Sequence, residues 1–312
     1  MTLEPIRAIL DVDTGVDDAM AIALAVTAPT IDLIGVTTVA GNVALEHTTR
    51  NTLRVLDYVG GSHIPVYRGM SRPLDRPLHD AAHIHGDDGL GGADFPQSGR
   101  SVEPRSAPQY LIDAARQSPG DLTFIFVGPL TNLAVAVALE PELPRLVKRL
   151  VIMGGAFRVP GNTTAAAEFN IFADPEAAAQ VLAAGFDATW VGLDVTTKAL
   201  LTRAQWERLA GEKAANAGVV RLAGMRMFTQ MGRDTFQLHD PLAVAVAADP
   251  TLVESPQEQV VIETGGRYSA GATLCQHKGR EMGGFLTNVA HTVDTARFNT
   301  YFTETLGLPS PQ

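Results

Sequence analysis

Short β-branched, aliphatic runs alternate along the chain with longer Ala- and Leu-rich ones. Segments 6–12, 31–39, 122–127, 150–153 and 188–193 read as strands, the first of them buried. Between them, 17–28, 43–59, 130–139 and 175–184 carry helical patterns. The first of these ends at Pro29, and the last follows Asp174-Pro175, an N-cap and a proline at the first helical position. Strands that lack hairpin turns and are separated by helices imply parallel pairing, with helices on both faces. The expected fold class is therefore α/β, a mostly parallel open sheet with a Rossmann-like core. No repeat, low-complexity tract or clear linker interrupts it, so residues 1–312 are expected to form a single domain.

In such sheets ligands bind beyond the carboxyl ends of the strands. Asp11, Asp13, Asp17 and Asp18 follow the first strand, and Asn42 follows the second. Gly128 to Asn132 follow the strand at 122–127, and Gly154 and Gly155 follow the one at 150–153. Four separate segments thus place Gly, Asp or Asn at one sheet edge, which predicts a site there. Two stretches break the rhythm, 68–105 and 158–167; the first is rich in Gly, Pro, Asp and His and is long enough to be a functional loop.

Composition narrows the function class. A formal charge of −10 argues against nucleic acid or an anionic membrane as partner, since both attract basic patches. The single cysteine, Cys275, excludes an internal disulfide framework and a multi-thiolate zinc site. The N-terminus has no basic segment followed by a long apolar run, and apolar stretches such as 19–28 are too short to span a bilayer. A cytoplasmic protein is the expectation.

The segment Asp11-Val12-Asp13-Thr14-Gly15-Val16-Asp17-Asp18 sets four carboxylates within eight residues on a turn leaving a strand. Like charges so close need a cation or displaced pKa values, and oxygen ligands suit a hard ion such as Ca²⁺ or Mg²⁺. Helix capping accounts for Asp17 and Asp18 without a metal, but not for Asp13. Asp11-x-Asp13-Thr14 also resembles the opening motif of haloacid-dehalogenase-like phosphatases, with Asp11 as nucleophile and Lys198 and Asp194 as its partners. A zinc site at His79, His83 and His85, alternating across a strand, lacks completing ligands; surface or base-pocket residues are the better reading.

Five motifs in order favour one reading: Asp13-x4-Asp18, Gly128-Pro-Leu-Thr131-Asn132, Met153-Gly-Gly-Ala, Ala167-Glu168-Phe-Asn170 and His239-Asp240-Pro-Leu-Ala. With them the sequence resembles the inosine–uridine-preferring nucleoside hydrolase family from about Arg7 to Phe298. The resemblance implies a calcium-dependent enzyme that cleaves the bond between ribose and base of a small-molecule ribonucleoside. It further implies Ca²⁺ held by Asp13, Asp18, the carbonyl of Thr131 and Asp240, with Asp13 also the general base on the activated water. Asp17, Asn42, Asn162, Glu168 and Asn170 would grip the ribose hydroxyls, Met153 would line the pocket, and His239 and His85 would lie around the base. His239 is the residue suited to assist the leaving base.

The loop His85-Gly86-Asp87-Asp88-Gly89-Leu90-Gly91-Gly92 departs from the family at Gly91, where an Asp is common. Trp190 and Trp206 lie outside the matching segments, which favours the histidine-bearing branch over the purine-stacking one. Segment 228–238 is expected to border the base, with Gln230, Arg233 and Gln237 as possible contacts and Arg226 and Arg233 otherwise as surface charges. By resemblance alone a homodimer or homotetramer is expected. The non-enzymatic alternative is a calcium-bound nucleoside sensor.

Overall fold

The computed structural model describes residues 5–210, 212, 214–276 and 283–309. One sheet organises them. Its parallel body comprises β1 (Ile6–Val12), β2 (Ile31–Thr38), β3 (Val66–Arg68), β4 (Thr123–Phe126), β5 (Arg149–Met153) and β6 (Ala188–Val191). Two short antiparallel pairs stand apart from it: β7 (Leu200–Thr202) with β8 (Thr235–Gln237), and β9 (Val253–Glu254) with β13 (Thr292–Val293). The remaining strands, β10 (Gln257–Ile262), β11 (Thr273–Cys275) and β12 (Phe285–Val289), complete a nine-stranded sheet in the order β11-β10-β12-β6-β5-β4-β1-β2-β3.

The expected parallel α/β sheet is thus present, and the five expected strands match β1, β2, β4, β5 and β6 to within two residues at either end. The pattern did not disclose the far edge. There β12 runs parallel to β6, while β10 is antiparallel to both β11 and β12. The stretch at 68–105 holds one helical turn, Ala82–His85, and is otherwise mostly irregular. Its histidines therefore do not alternate across a strand, because the chain there coils over the sheet edge instead of extending along it.

Alternation along β1 divides the core: Ala8, Leu10 and Val12 enter one apolar cluster, and Ile9 enters the other with Phe124, Phe126 and Ile152. Two helices on the first face matter most for the site. Residues 16–25 of helix Val16–Thr27 and residues 240–247 of helix His239–Ala248 are buried without a break. Both are apolar on nearly every side and pack against each other. Apolar helices of this kind are stable only inside a core. Their mutual packing brings Asp17 and Asp18 at one N-terminus beside His239 and Asp240 at the other. Among the described residues no helix is long and apolar enough to cross a membrane.

Candidate active site

Asp13 leaves β1 at its carboxyl end and is 1% exposed. Its Oδ2 accepts the amide of Asn42 at 2.7 Å, while Asn42 Nδ2 donates to Asp18 Oδ2 at 3.1 Å. Asp18 turns back over the strand end and accepts the amides of Asp13 at 3.1 Å and Gly15 at 2.9 Å. The capping role foreseen for Asp18 is therefore real, but it uses only part of the carboxylate cluster. Two glycines give Asp13 its space. A Cβ on Gly41 would stand 2.1 Å from Asp13 Oδ2, and one on Gly128 would stand 2.9 Å from Oδ1.

One oxygen from each of Asp17, Asp18 and Asp240 can lie within 4.8 Å of the others, a spacing that one cation can bridge. Asp13 Oδ1 and Asp17 Oδ1 are buried with no hydrogen-bond partner. Burial, then the neighbouring Asp18 charge, pushes the Asp13 carboxyl well up and raises Asp17 to about 8. Burial followed by the Asp17 charge does the same to Asp240. Unpaired buried carboxylates are costly. An all-oxygen donor set with orphaned lone pairs fits a hard divalent cation, which would satisfy both the charge and the vacant acceptors.

Beside this cluster opens a cavity of about 370 Å³. Asp17, Asn42, His85, Met153, Asn162, Glu168, Asn170, His239 and Asp240 all line it, so nine of the twelve residues expected at the site converge on one space. The other three do not line it. Asp13 and Asp18 are the buried carboxylates just described, and Thr131 is buried at the start of helix Thr131–Leu139. The Thr131 hydroxyl is engaged away from the cavity, donating to Asp174 Oδ2 at 2.6 Å.

The polar groups of the cavity are held rigidly. Glu168 caps helix Phe169–Ala173: Oε1 accepts Asn170 N at 2.9 Å, and Oε2 accepts Gly155 N at 3.1 Å and Ile171 N at 3.2 Å. Asn170 Nδ2 donates to the carbonyls of Val127 at 2.7 Å and Met153 at 3.2 Å. Exposed Asn162 accepts the Phe169 amide at 2.9 Å, at the rim.

Both site histidines are neutral. Burial lowers His239 to about 4, and its Nδ1 lies 2.8 Å from Thr196 Oγ1. Burial, then the His239 charge, lowers His85 to about 3. His85 Nδ1 accepts the Val16 amide at 3.1 Å, which places the ring proton on Nε2. The 4.0 Å approach of His85 Nδ1 to Asp17 Oδ1 is therefore not an ion pair.

The phosphatase constellation is not assembled. Asp11 Oδ2 accepts Thr37 Oγ1 at 2.5 Å and Asn132 Nδ2 at 2.7 Å, and Asp11 does not reach the cavity lining. Asp194 is occupied by the amides of Phe157 and Arg158, each at 2.9 Å, and Lys198 borders a different surface hollow.

Several lining residues were not singled out by the sequence, Ile84, Thr163 and Met227 among them, whereas Phe169 lies inside a family motif and Phe236 inside the segment expected to border the base. His79, His83 and Ile84 arrive on the long loop; the two histidines, read from the sequence as surface or base-pocket residues, both line the cavity. Arg233 and Gln237 line the cavity as expected, whereas Gln230 does not.

The family model for inosine-uridine preferring nucleoside hydrolases matches residues 8–300. The inosine-uridine preferring nucleoside hydrolase of Leishmania major is 38% identical over 94% of this chain and 95% of its own length. The non-specific ribonucleoside hydrolase RihC of Klebsiella pneumoniae is 39% identical over 96% of this chain and 98% of its own. The solved structure of a plant nucleoside hydrolase superposes with a TM-score of 0.91 at 35% identity, covering 98% of this chain and all of the other. Matches of this extent, over the same residues that enclose the acidic cavity, establish that the chain belongs to the inosine-uridine preferring nucleoside hydrolase family and is a ribonucleoside hydrolase.

Proposed function

We propose that the chain cleaves ribonucleosides to ribose and free base with Ca²⁺ as its ion and Asp13 as general base, and that it works in the histidine-bearing manner. The observation that carries this reading is the group of buried carboxylates with two orphaned oxygens beside a cavity of fixed polar groups. Asp13, Asp18, Asp240 and the carbonyl of Thr131 would hold the ion. Asp17, grouped with Asp18 and Asp240, offers a further oxygen to the ion. The ion would polarise the attacking water and anchor the ribose diol.

The chain's own groups do the rest. Asp13 is held at Oδ2 by the Asn42 amide, which leaves Oδ1 to take the proton of the attacking water. Asp17, Asn42, Asn162, Glu168 and Asn170 bind the ribose hydroxyls; the amides that clamp Glu168 prevent it from following the sugar as the sugar flattens. An oxocarbenium-like sugar is favoured by fixed carboxylates nearby. Met153 packs against the sugar. His239, neutral and hydrogen-bonded to Thr196, donates a hydrogen bond to the departing base, and the Nε2 proton of His85 offers a second donor. Neither tryptophan lines the cavity: Trp190 is buried on Thr287, and Trp206 packs on Phe228. That supports the histidine-bearing branch over purine stacking.

The test is release of reducing sugar from inosine, uridine, cytidine and adenosine, with and without chelator, beside Asp13→Asn. Release that needs the ion and is lost in Asp13→Asn is expected. Chelator-resistant turnover would overturn the role given to the ion, and an active Asp13→Asn would overturn that of the base.

A further inference from the structure

The loop that carries His83, Ile84 and His85 into the cavity is not held by the sheet. Residues 83–91 are pinned from outside by one turn of π-helix, Arg226–Gln230, whose Met227 also lines the cavity, and by Asn51, whose Nδ2 donates to the Asp88 carbonyl at 2.7 Å. Arg226 Nη2 donates to the carbonyl of His83 and Nε to that of Ile84, both at 3.1 Å. Arg226 Nη1 donates to Gln230 Oε1 at 2.8 Å, and Gln230 Nε2 donates to the carbonyl of Gly91 at 2.8 Å. One guanidinium and one amide therefore hold three carbonyls of the loop. π-Helical turns are rare and frequently stand at functional sites, and this one continues directly from helix Ala215–Met225.

Gly91 makes this approach possible. It sits at φ +64°, and a Cβ there would stand 2.5 Å from Arg226 Cβ and 3.0 Å from Cγ. Any side chain at position 91 would be strained by its backbone and would drive Arg226 off the loop. The Gly91 amide also bonds the carbonyl of His85 at 2.7 Å, so closing the loop on itself and docking it on Arg226 are parts of one arrangement.

We propose that Arg226, with Gln230 and Gly91, is a positioning residue for nucleoside binding: it fixes the His83–Ile84–His85 wall at the base end of the cavity without touching substrate. The proposal rests on the reading that this loop faces the base. His85 keeps a separate anchor on Val16, so loss of the latch loosens the wall without dismantling the carboxylate cluster.

The test uses the full chain with its divalent ion. Arg226→Ala is expected to raise KM for nucleosides about tenfold, the effect of about one charged hydrogen bond, with kcat changed much less. Arg226→Lys, which can satisfy one carbonyl but not two, should recover part of the loss. Gly91→Ala should reproduce the phenotype while Arg226 is intact, and the double variant should be no worse than either single one. Hydrogen exchange of amides 83–92 should quicken in each variant, and that of residues 13–18 should not. This readout does not require turnover, so it separates failure of the latch from failure of the catalytic reading. Unchanged KM and unchanged exchange in Arg226→Ala would overturn the proposal, as would a fall in kcat at constant KM.

Discussion

Replacing Asp13 by Asn should abolish turnover and, with the ion removed, make the protein more stable. Asp13 is 1% exposed, lies beside Asp18, and has one oxygen without any partner. Burial and the Asp18 charge hold its carboxyl well above the usual range. At pH 7 the folded chain must therefore either bear a buried, repelled charge or take up a proton. The second route limits the cost to about 4 kcal/mol, the work of protonating a carboxylate of ordinary pKa about 3.9 at that pH. Asn keeps an oxygen for the Asn42 amide, has nearly the same volume and carries no charge. A gain of about 1–4 kcal/mol is expected in chelator, or a rise in Tm of at least about 1.5 °C at an unfolding entropy of about 2.1 cal/mol/K per residue.

The dependence on pH has a fixed sign. A raised native pKa means that stability is lost as pH rises, from the ordinary carboxylate value up to the native one. The advantage of Asn should therefore vanish near pH 4 and grow as pH rises toward the native pKa of Asp13. A divalent ion at about a thousand times its Kd stabilises the wild type by about 4.1 kcal/mol and should cancel or reverse the order. Thermal unfolding in chelator and in excess Ca²⁺, from pH 4 to 8, reads all of this. An Asp13→Asn protein that melts below the wild type in chelator at pH 8 would refute the electrostatic reasoning.

Two further outcomes follow from the site. His239→Ala should slow nucleosides by about tenfold or more, the loss of one hydrogen bond to the departing base, but hardly affect a 4-nitrophenyl riboside, whose leaving group is stable as the anion; equal losses on both would remove His239 from that role. Gly41→Ala sets a Cβ 2.1 Å from the present place of Asp13 Oδ2 and must displace that carboxylate. Activity should fall about 10²-fold, as for a misplacement of about 1 Å, and an ion titration by calorimetry should weaken in parallel; a fully active Gly41→Ala would show that Asp13 can move without penalty.

The sequence by itself determined the parallel strands and the edge where polar residues gather, and its family motifs named nine of the residues that line the cavity. These are local properties: an apolar run of strand length, followed by Asp, Asn or Gly, states both the element and the end at which it stops. Asp13 and Asn42 could be singled out because polar residues gathered at strand ends mark the edge where ligands bind, whereas Asn170 and Asp240 were reached only through the motifs shared with the nucleoside hydrolase family. The tertiary structure alone decided the antiparallel edge formed by β10, β11 and β12, the path of the loop that bears His79 to His85, and the neutral state of His85 and His239. It also turned Arg226 from a surface charge into the clasp of that loop, and Gly91 from a departure into a requirement. The edge strands and the two histidines meet partners tens of residues away, and Arg226 and Gln230 meet the loop across more than a hundred. Burial, desolvation and steric clearance are properties of such meetings, and no local pattern in the chain encodes them.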